Sequence, residues 1–334
     1  MNNKLLTISI ASYNIERFIR DTVGSLIVNN DDLKKMEIII VDDGSKDNTN
    51  KIAHELSSRF PESIIVIDKE NGGYGSTINA SLSIAKGKYY KLLDGDDWFK
   101  TDELPSFLKF LDKTEADLVV TPYIEIRDKE EKLIDNHPEI SSDDNAIIDL
   151  HIDKKPFLMH EIAIKTETLR NLNKPIAEHC FYTDSEYVFY CIIAAKSISR
   201  YESPIYRYRL GVEGQSVSLE GIRKHQKDLP IVARRIMSAY VGADPENSGA
   251  KKDILNLCIT NITYHTYRSF LLIQDPEDYR NDLIKLDKDI YEKYPIVYQI
   301  GSKSKLVRLV RKLHFRPYRI LCSIALNMFK KENL

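Results

Sequence analysis

Over residues 5–100, short apolar runs rich in β-branched residues alternate with amphipathic stretches, and each run closes on polar or glycine-rich residues. That alternation is the signature of an α/β unit built on a parallel sheet. Strands are predicted at Thr7 to Ala11, Glu37 to Val41, Ile64 to Ile67 and Tyr89 to Leu93; their continuous apolar character suits strands covered on both faces. Between them Arg17 to Asn29, Asn48 to Phe60 and Ser76 to Ala85 carry apolar residues at three-to-four spacing, which predicts helices, the second capped by Asp47 or Asn48.

Beyond Asp102 the pattern loosens. It predicts a helix to Leu111, a strand from Asp117 to Tyr123, a hairpin around Asp128 to Lys132, and a polar insertion from Asn136 to Asp153. A helix from Thr183 to Ala195 and strands Ser199 to Tyr201 and Ile205 to Arg209 complete the α/β part. From Gly221 the period becomes helical throughout: Ile222 to Tyr240, Ser248 to Ile273, Glu277 to Tyr294, and Lys303 to Lys330 with a break at Pro317. The expected division is an α/β domain over 1–218, in halves 1–100 and 101–218, followed by a helical region over 219–334.

Composition narrows the function classes. Of the 334 residues, 48 are Lys or Arg and 50 are Asp or Glu, so a net charge of -2 supplies no global field towards nucleic acid. Cys180, Cys191, Cys258 and Cys322 are widely spaced, with no metal-finger pattern, and read as buried thiols of a reducing compartment. No stretch reaches eighteen uninterrupted apolar residues, and the N-terminus lacks a signal-peptide pattern, so the expected location is cytoplasmic.

Ligands of open α/β sheets gather at the carboxyl ends of the strands. Four features fall there in order: Ala11-Ser12-Tyr13-Asn14, Asp42-Asp43-Gly44-Ser45, Asn71-Gly72-Gly73-Tyr74-Gly75 and Asp94-Gly95-Asp96-Asp97-Trp98. A carboxylate after the second strand can accept N–H groups of a base or ribose hydroxyls, and glycines admit a ligand close to the backbone. Asp94, Asp96 and Asp97 would repel one another unless a cation sat among them, and their hard oxygens suit Mg²⁺ or Mn²⁺ carrying a diphosphate. An isolated Asp-x-Asp is usually a solvated turn, and a lone Asp-Asp-Gly a turn or cap. The ordered co-occurrence, each motif behind its own strand, is what carries the functional reading.

This succession resembles the family-2 glycosyltransferases of the GT-A fold, in the branch of bacterial enzymes that build capsule, teichoic acid and other envelope glycans. The likeness covers about residues 5–215. It implies inverting transfer of a hexosyl or N-acetylhexosaminyl group from a nucleotide diphosphate sugar, with UDP favoured, to a glycan or lipid-linked acceptor. By the family's pattern Ala11, Tyr13, Asn14 and Asp43 would hold the nucleoside with Asp42 adjacent. Gly73, Asn79, Asp94, Gly95 and Asp96 would line the donor site, and Asp96 and Asp97 would hold the metal. Many relatives carry Ala-Arg-Asn where this chain has Thr77-Ile78-Asn79, so an arginine near the diphosphate is missing here, and Lys69 or another cation is the candidate substitute.

Inversion by single displacement requires a base for the acceptor hydroxyl. The resemblance places it in Glu178-His179-Cys180-Phe181-Tyr182-Thr183-Asp184-Ser185-Glu186, at Asp184, with Glu178 and Glu186 in reserve. Asp184 also fits a plain helix-start acid. The Gly211 to Ser218 loop suits a lid. Lys303 to Lys331 interleaves basic and apolar residues, which fits a helix lying on an anionic membrane surface, or one packed on its own domain or on another subunit. A sugar-phosphate nucleotidyltransferase should show Arg and Lys in a glycine loop after the first strand, where Ser12-Tyr13-Asn14-Ile15-Glu16 stands instead. A non-catalytic carbohydrate-binding protein has no reason to keep the acidic cluster together with Asp184.

Overall fold

In a computed structural model that describes residues 4–128, 130–142, 155–211, 218–243, 251–273 and 276–332, the strands form two sheets. In chain order they are β1 (Leu6–Ser12), β2 (Met36–Asp42), β3 (Ile64–Asp68), β4 (Tyr89–Asp94), β5 (Trp98–Phe99), β6 (Leu118–Val120), β7 (Tyr123–Arg127), β8 (Glu130–Ile134), β9 (Ile162–Lys165), β10 (Ile198–Arg200) and β11 (Tyr206–Leu210). The larger sheet has the order β10-β6-β9-β4-β1-β2-β3 and the smaller β5-β11-β7-β8. Parts of the expected polar insertion (143–154) and of the expected lid (212–217) lie outside the described residues.

The predicted parallel core is present. β1 pairs in parallel with β2 and β4, and β2 with β3. Leu6, Ile8, Ile10 and the run Ile38 to Val41 are fully buried, each such side chain contributing about 2 kcal/mol by leaving water. Helices Thr49–Arg59 and Tyr74–Ile84 are the two crossovers, both close to their predicted limits. Between β1 and β2 the expected long helix is instead two short ones, Ile19–Gly24 and Asn30–Leu33, the second capped by the Asn29 side chain on the Asp32 N–H.

Three departures matter for the site. The expected strand from Asp117 to Tyr123 is two strands in different sheets: β6 ends at Val120, and β7 begins at Tyr123, one residue after Pro122, which has no N–H to give a ladder. β5 is too short to carry a periodicity. β9, which the sequence pattern did not reveal, lies in the middle of the larger sheet, antiparallel to both β4 and β6. The helix Thr166–Asn171 follows it directly.

The chain divides into two compact units, Met1–His179 with Tyr190–Val212, and Cys180–Phe189 with Glu213–Leu334. The second unit is helical. The segment expected as one helix from Ile222 is two, Leu219–Lys224 and Leu229–Gly242, with Pro230 in the first turn of the latter. Leu306, Val307, Val310, Leu321 and Phe329 of the basic C-terminal stretch are buried within this unit. Arg311 is drawn inward as well: its Nε donates to Asp287 Oδ1 at 2.7 Å and its guanidinium stacks 3.5 Å from the Tyr298 ring centre. Among the described residues no helix is long and apolar enough to cross a membrane.

Candidate active site

Strand register creates the site's edge. Ser12 of β1 is level with Asp42 of β2, Asp42 with Asp68 of β3, and Ala11 with Asp94 of β4. β2, β3 and β4 therefore end in carboxylates along one sheet edge, with β1 between β2 and β4 and Asp94 one residue short of the Ser12, Asp42 and Asp68 line. The turn after β1 is stitched to the loop after β2: the Ser45 hydroxyl accepts from Asn14 N at 3.0 Å, and Asn14 Oδ1 accepts from Lys46 N at 2.8 Å. Asn14 holds a left-handed φ of 54°, which an asparagine tolerates better than most residues. The turn leaves the Tyr13 ring half exposed (50%) beside this edge.

Asp43 is buried and works as a clamp. Its carboxylate accepts from Gly72 N at 2.9 Å, Gly73 N at 2.8 Å and Lys69 Nζ at 2.6 Å, tying the glycine loop to β2. Gly73 has φ 79° at the start of helix Tyr74–Ile84, a conformation that admits both N–H bonds and that a side chain would strain. Asp42 accepts from Ser45 N and from Asn50 Nδ2. Lys69 also donates to Glu70 O and Ser76 Oγ, so its charge is already engaged in holding this loop. Asn79 is committed on both amide atoms: it donates to Ile176 O and Glu178 Oε1, and accepts from Ile176 N.

The acidic loop after β4 is the most congested part. Gly95 packs so closely that a Cβ there would stand 2.4 Å from Ile15 Cδ1 and 2.7 Å from Ala11 O. Asp97 is 1% exposed, with Oδ2 accepting from Tyr206 Oη at 2.6 Å and Oδ1 from Arg209 N at 2.7 Å. Burial first, then the charges of Asp94 and Asp96, push its carboxyl well above the usual range. Asp94 Oδ1 accepts from Tyr74 Oη at 2.7 Å, and its backbone N–H donates to Tyr206 Oη. Arg209 Nε donates to Asp96 O at 2.8 Å, its guanidinium lying over the Trp98 and Phe18 rings.

A carboxylate oxygen from each of Asp94 and Asp97 and a ring nitrogen of His160 lie within 4.8 Å of one another. Asp96 is not in this group. A divalent ion with bonds of about 2.1 Å holds three evenly spaced donors about 3.6 Å apart, so closing the trio needs the donors to draw together by up to about 1.2 Å. Each Asp97 oxygen takes one hydrogen bond and keeps a lone pair, and His160 Nδ1 is buried without a hydrogen-bond partner. The donor set fits a divalent cation.

Sequence reasoning missed His160, Tyr206, Tyr74 and Arg209. Tyr206 and Arg209 had a signal: in Tyr206-Arg207-Tyr208-Arg209 the strand period of two separates tyrosines from arginines by face. His160 had none, because it depends on β9.

Asp184 belongs to the second unit, in the first turn of helix Thr183–Ala194. It is half-buried, and desolvation raises its carboxyl above the ordinary value. The turn that delivers it is strained: His179 and Tyr182 hold φ of 54° and 67° without being glycine. Of the two reserves, Glu186 is fully buried and accepts from Arg235 Nε at 2.6 Å, while Glu178 accepts from Asn79.

Comparison with known proteins agrees with this geometry. The model of the family described as Glycosyl transferase family 2 matches residues 7–181. The chain is 29% identical over 211 residues to the minor teichoic acid biosynthesis protein GgaB of Bacillus subtilis (strain 168), covering 61% of this chain and 23% of that protein. It spans less than half the length of the first curated relatives it matches, at 23%, 41% and 18%. Among solved structures, S. aureus TarS 1–349 in complex with UDP-GlcNAc superposes with a TM-score of 0.71 at 18% identity, over 96% of this chain and 90% of that one. The mannosyltransferase PcManGT of Pyrobaculum calidifontis, with GDP-Man and Mn²⁺, gives 0.51 at 13% identity, over 96% and 86%. At those identities the likeness establishes the GT-A fold.

The Asp43 clamp generates a prediction. In Asp43→Asn the amide nitrogen must face an N–H donor of Gly72 or Gly73, and Lys69 loses its counter-charge in a buried setting. The substitution should cost about 2–4 kcal/mol in denaturant unfolding and weaken nucleoside diphosphate binding at least about tenfold. Unchanged stability and unchanged affinity together would remove Asp43 from this role.

Proposed function

This chain belongs to glycosyl transferase family 2, and from that premise we propose that it moves a sugar from a nucleotide diphosphate sugar to an acceptor hydroxyl with inversion. UDP is the preferred nucleotide, and the group moved is a hexosyl or N-acetylhexosaminyl unit. The acceptor is a cell-envelope glycan, a teichoic acid or a lipid-linked precursor. One observation carries the reading most: β1, β2 and β4 end at Ser12, Asp42 and Asp94 on one sheet edge, within one residue of the same level, with Asp97 and His160 near Asp94. UDP is supported by the fold likeness to TarS, solved with UDP-GlcNAc, and the acceptor class by the likeness to GgaB, a minor teichoic acid biosynthesis protein.

In this scheme Tyr13, Asn14, Ala11, Asp42 and Asp43 hold the nucleoside, with Gly73 leaving room for the backbone to approach it and Gly95 letting the acidic loop of the donor site pack against Ala11 and Ile15. Asn79 acts from behind, through the 176–178 segment it anchors. Asp94 and Asp97, with His160, would hold Mn²⁺ or Mg²⁺, and Asp96 stays next to the diphosphate. When bound, such an ion offsets the negative charge that builds on the leaving diphosphate. Asp184 takes the acceptor proton; a carboxyl raised by burial accepts a proton more readily than a solvated one.

We further propose that the protein meets anionic membrane through its C-terminal helices. The apolar residues the sequence pattern would turn to lipid are mostly buried in the second unit, so the contact rests on charge. From Ser302 to Lys331 there is no Asp or Glu, and Lys305, Arg308, Lys312, Arg316 and Arg319 are exposed beside Leu313 (39%) and Ile320 (57%).

Two experiments test these readings. Asp184→Asn keeps a helix-start side chain but cannot take a proton, so transfer to acceptor should fall by roughly a hundredfold or more while donor affinity and melting temperature hold. Near-normal transfer would move the base elsewhere, and a retained anomeric configuration in the wild-type product, read by NMR, would end the single-displacement reading. For the membrane, the triple reversal Lys305→Glu, Arg308→Glu and Lys312→Glu should weaken sedimentation with phosphatidylglycerol vesicles by at least roughly a hundredfold, at about 1 kcal/mol for each basic residue lost and more from the added repulsion. Equal sedimentation of both proteins would leave the basic face without a lipid role.

A further inference from the structure

Lys91 sits in the middle of β4, three residues before Asp94, and is 0% exposed. Burying an ammonium costs several kcal/mol unless its donors are matched, and a leucine would serve the strand better. Its Nζ donates to two backbone carbonyls, His160 O at 2.8 Å and Ile162 O at 3.1 Å, and lies over the Phe99 and Tyr206 rings. Both carbonyls belong to the entry into β9. No catalytic or nucleoside-binding role assigned above uses this lysine.

The same short segment is gripped from its other side. Glu161, 1% exposed, accepts from Leu158 N and Asn136 Nδ2, both at 2.8 Å, and its own carbonyl accepts from Thr121 N at 2.8 Å. Between the two grips stands the His160 ring, stacked 4.2 Å from Tyr208 and edge-on to Tyr206 at 4.8 Å. Backbone and ring are thus both immobilised. The outcome is a buried Nδ1 with no hydrogen-bond partner, on a ring whose nitrogen reaches the Asp94 and Asp97 oxygens.

We propose that His160 supplies an imidazole nitrogen to the divalent ion held by Asp94 and Asp97, and that Lys91 is the positioning residue that aims it. The inference rests on the ion site of the proposed function and deepens it. A nitrogen donor shifts a site from Mg²⁺ and Ca²⁺, which prefer oxygen, towards Mn²⁺ and later transition ions. This chain should therefore be selective for Mn²⁺ over Mg²⁺.

The test uses the full chain with UDP. Electron spin-echo spectroscopy of bound Mn²⁺ should show modulation from a directly bonded imidazole ¹⁴N, and His160→Phe, which keeps the ring stack, should abolish it. His160→Phe should also lower Mn²⁺ affinity at least about tenfold and lower Mg²⁺ affinity much less, so that the Mn²⁺/Mg²⁺ preference shrinks, with the melting temperature held. Lys91→Met should lower Mn²⁺ affinity about 10- to 100-fold with His160 still present. If Lys91→Met fails to fold, the wild-type spectrum and the His160→Phe selectivity decide alone. Bound Mn²⁺ without nitrogen modulation overturns this inference and leaves the carboxylate site standing. No Mn²⁺ binding in calorimetry, with or without UDP, overturns both.

Discussion

The structure depends on a concentration of negative charge at the end of one buried strand. Asp97 is enclosed within a few ångströms of Asp94, and two full charges about 5 Å apart repel by about 3 kcal/mol at an effective dielectric near 20. The protein answers with donors from several directions. Tyr206 serves Asp97 and receives the Asp94 N–H, Tyr74 serves Asp94, and the Arg209 backbone serves Asp97. These donors hold the carboxyls in place, while burial first, and then the charges of Asp94 and Asp96, keeps the Asp97 carboxyl above its usual range.

This view explains why elements distant in sequence converge here. β11 supplies Tyr206 and Arg209, helix Tyr74–Ile84 supplies Tyr74 from its first turn, and β9 brings His160. Each is a support for the β4 loop, and the smaller sheet is the means by which β11 reaches it, β5 and β11 being paired through Phe99 and Tyr206. On the other flank Asp43 spends its carboxylate on the glycine loop, which it ties to the end of β2. Asp184, in the second unit, has a different environment: its carboxyl is raised by burial alone, without neighbouring acids among the causes.

The sequence revealed the first half of the site more completely than the second for a physical reason. β1, β2 and β4 are covered on both faces and the edge strand β3 is itself a continuous apolar run, so these strands stand out and their ends can be located to within a residue; Asp42 and Asp94 follow from that alone. β9 is four residues, Ile162 to Lys165, joined to a preceding apolar stretch, and its place between β4 and β6 follows from pairing that no local period encodes. His160 was invisible for the same reason. The division at Pro122 could have been read from the proline, which a central strand does not accept. In the C-terminal stretch the alternation of basic and apolar residues was correctly seen, but pattern alone does not say whether the apolar side faces lipid or protein; Arg311, paired with Asp287 and stacked on Tyr298, shows one basic residue turned inward.

The central claim is that the carboxylates after β4 hold a divalent ion that the nucleoside diphosphate needs. Calorimetric titration of UDP into the protein with Mn²⁺ and again with a chelator tests it most directly, alongside Asp97→Asn, which is nearly the same shape. The account predicts that Mn²⁺ tightens UDP binding at least about tenfold in the wild type and that this gain disappears in Asp97→Asn. Equal UDP affinity with Mn²⁺ and with chelator, in a folded wild-type protein, would contradict it.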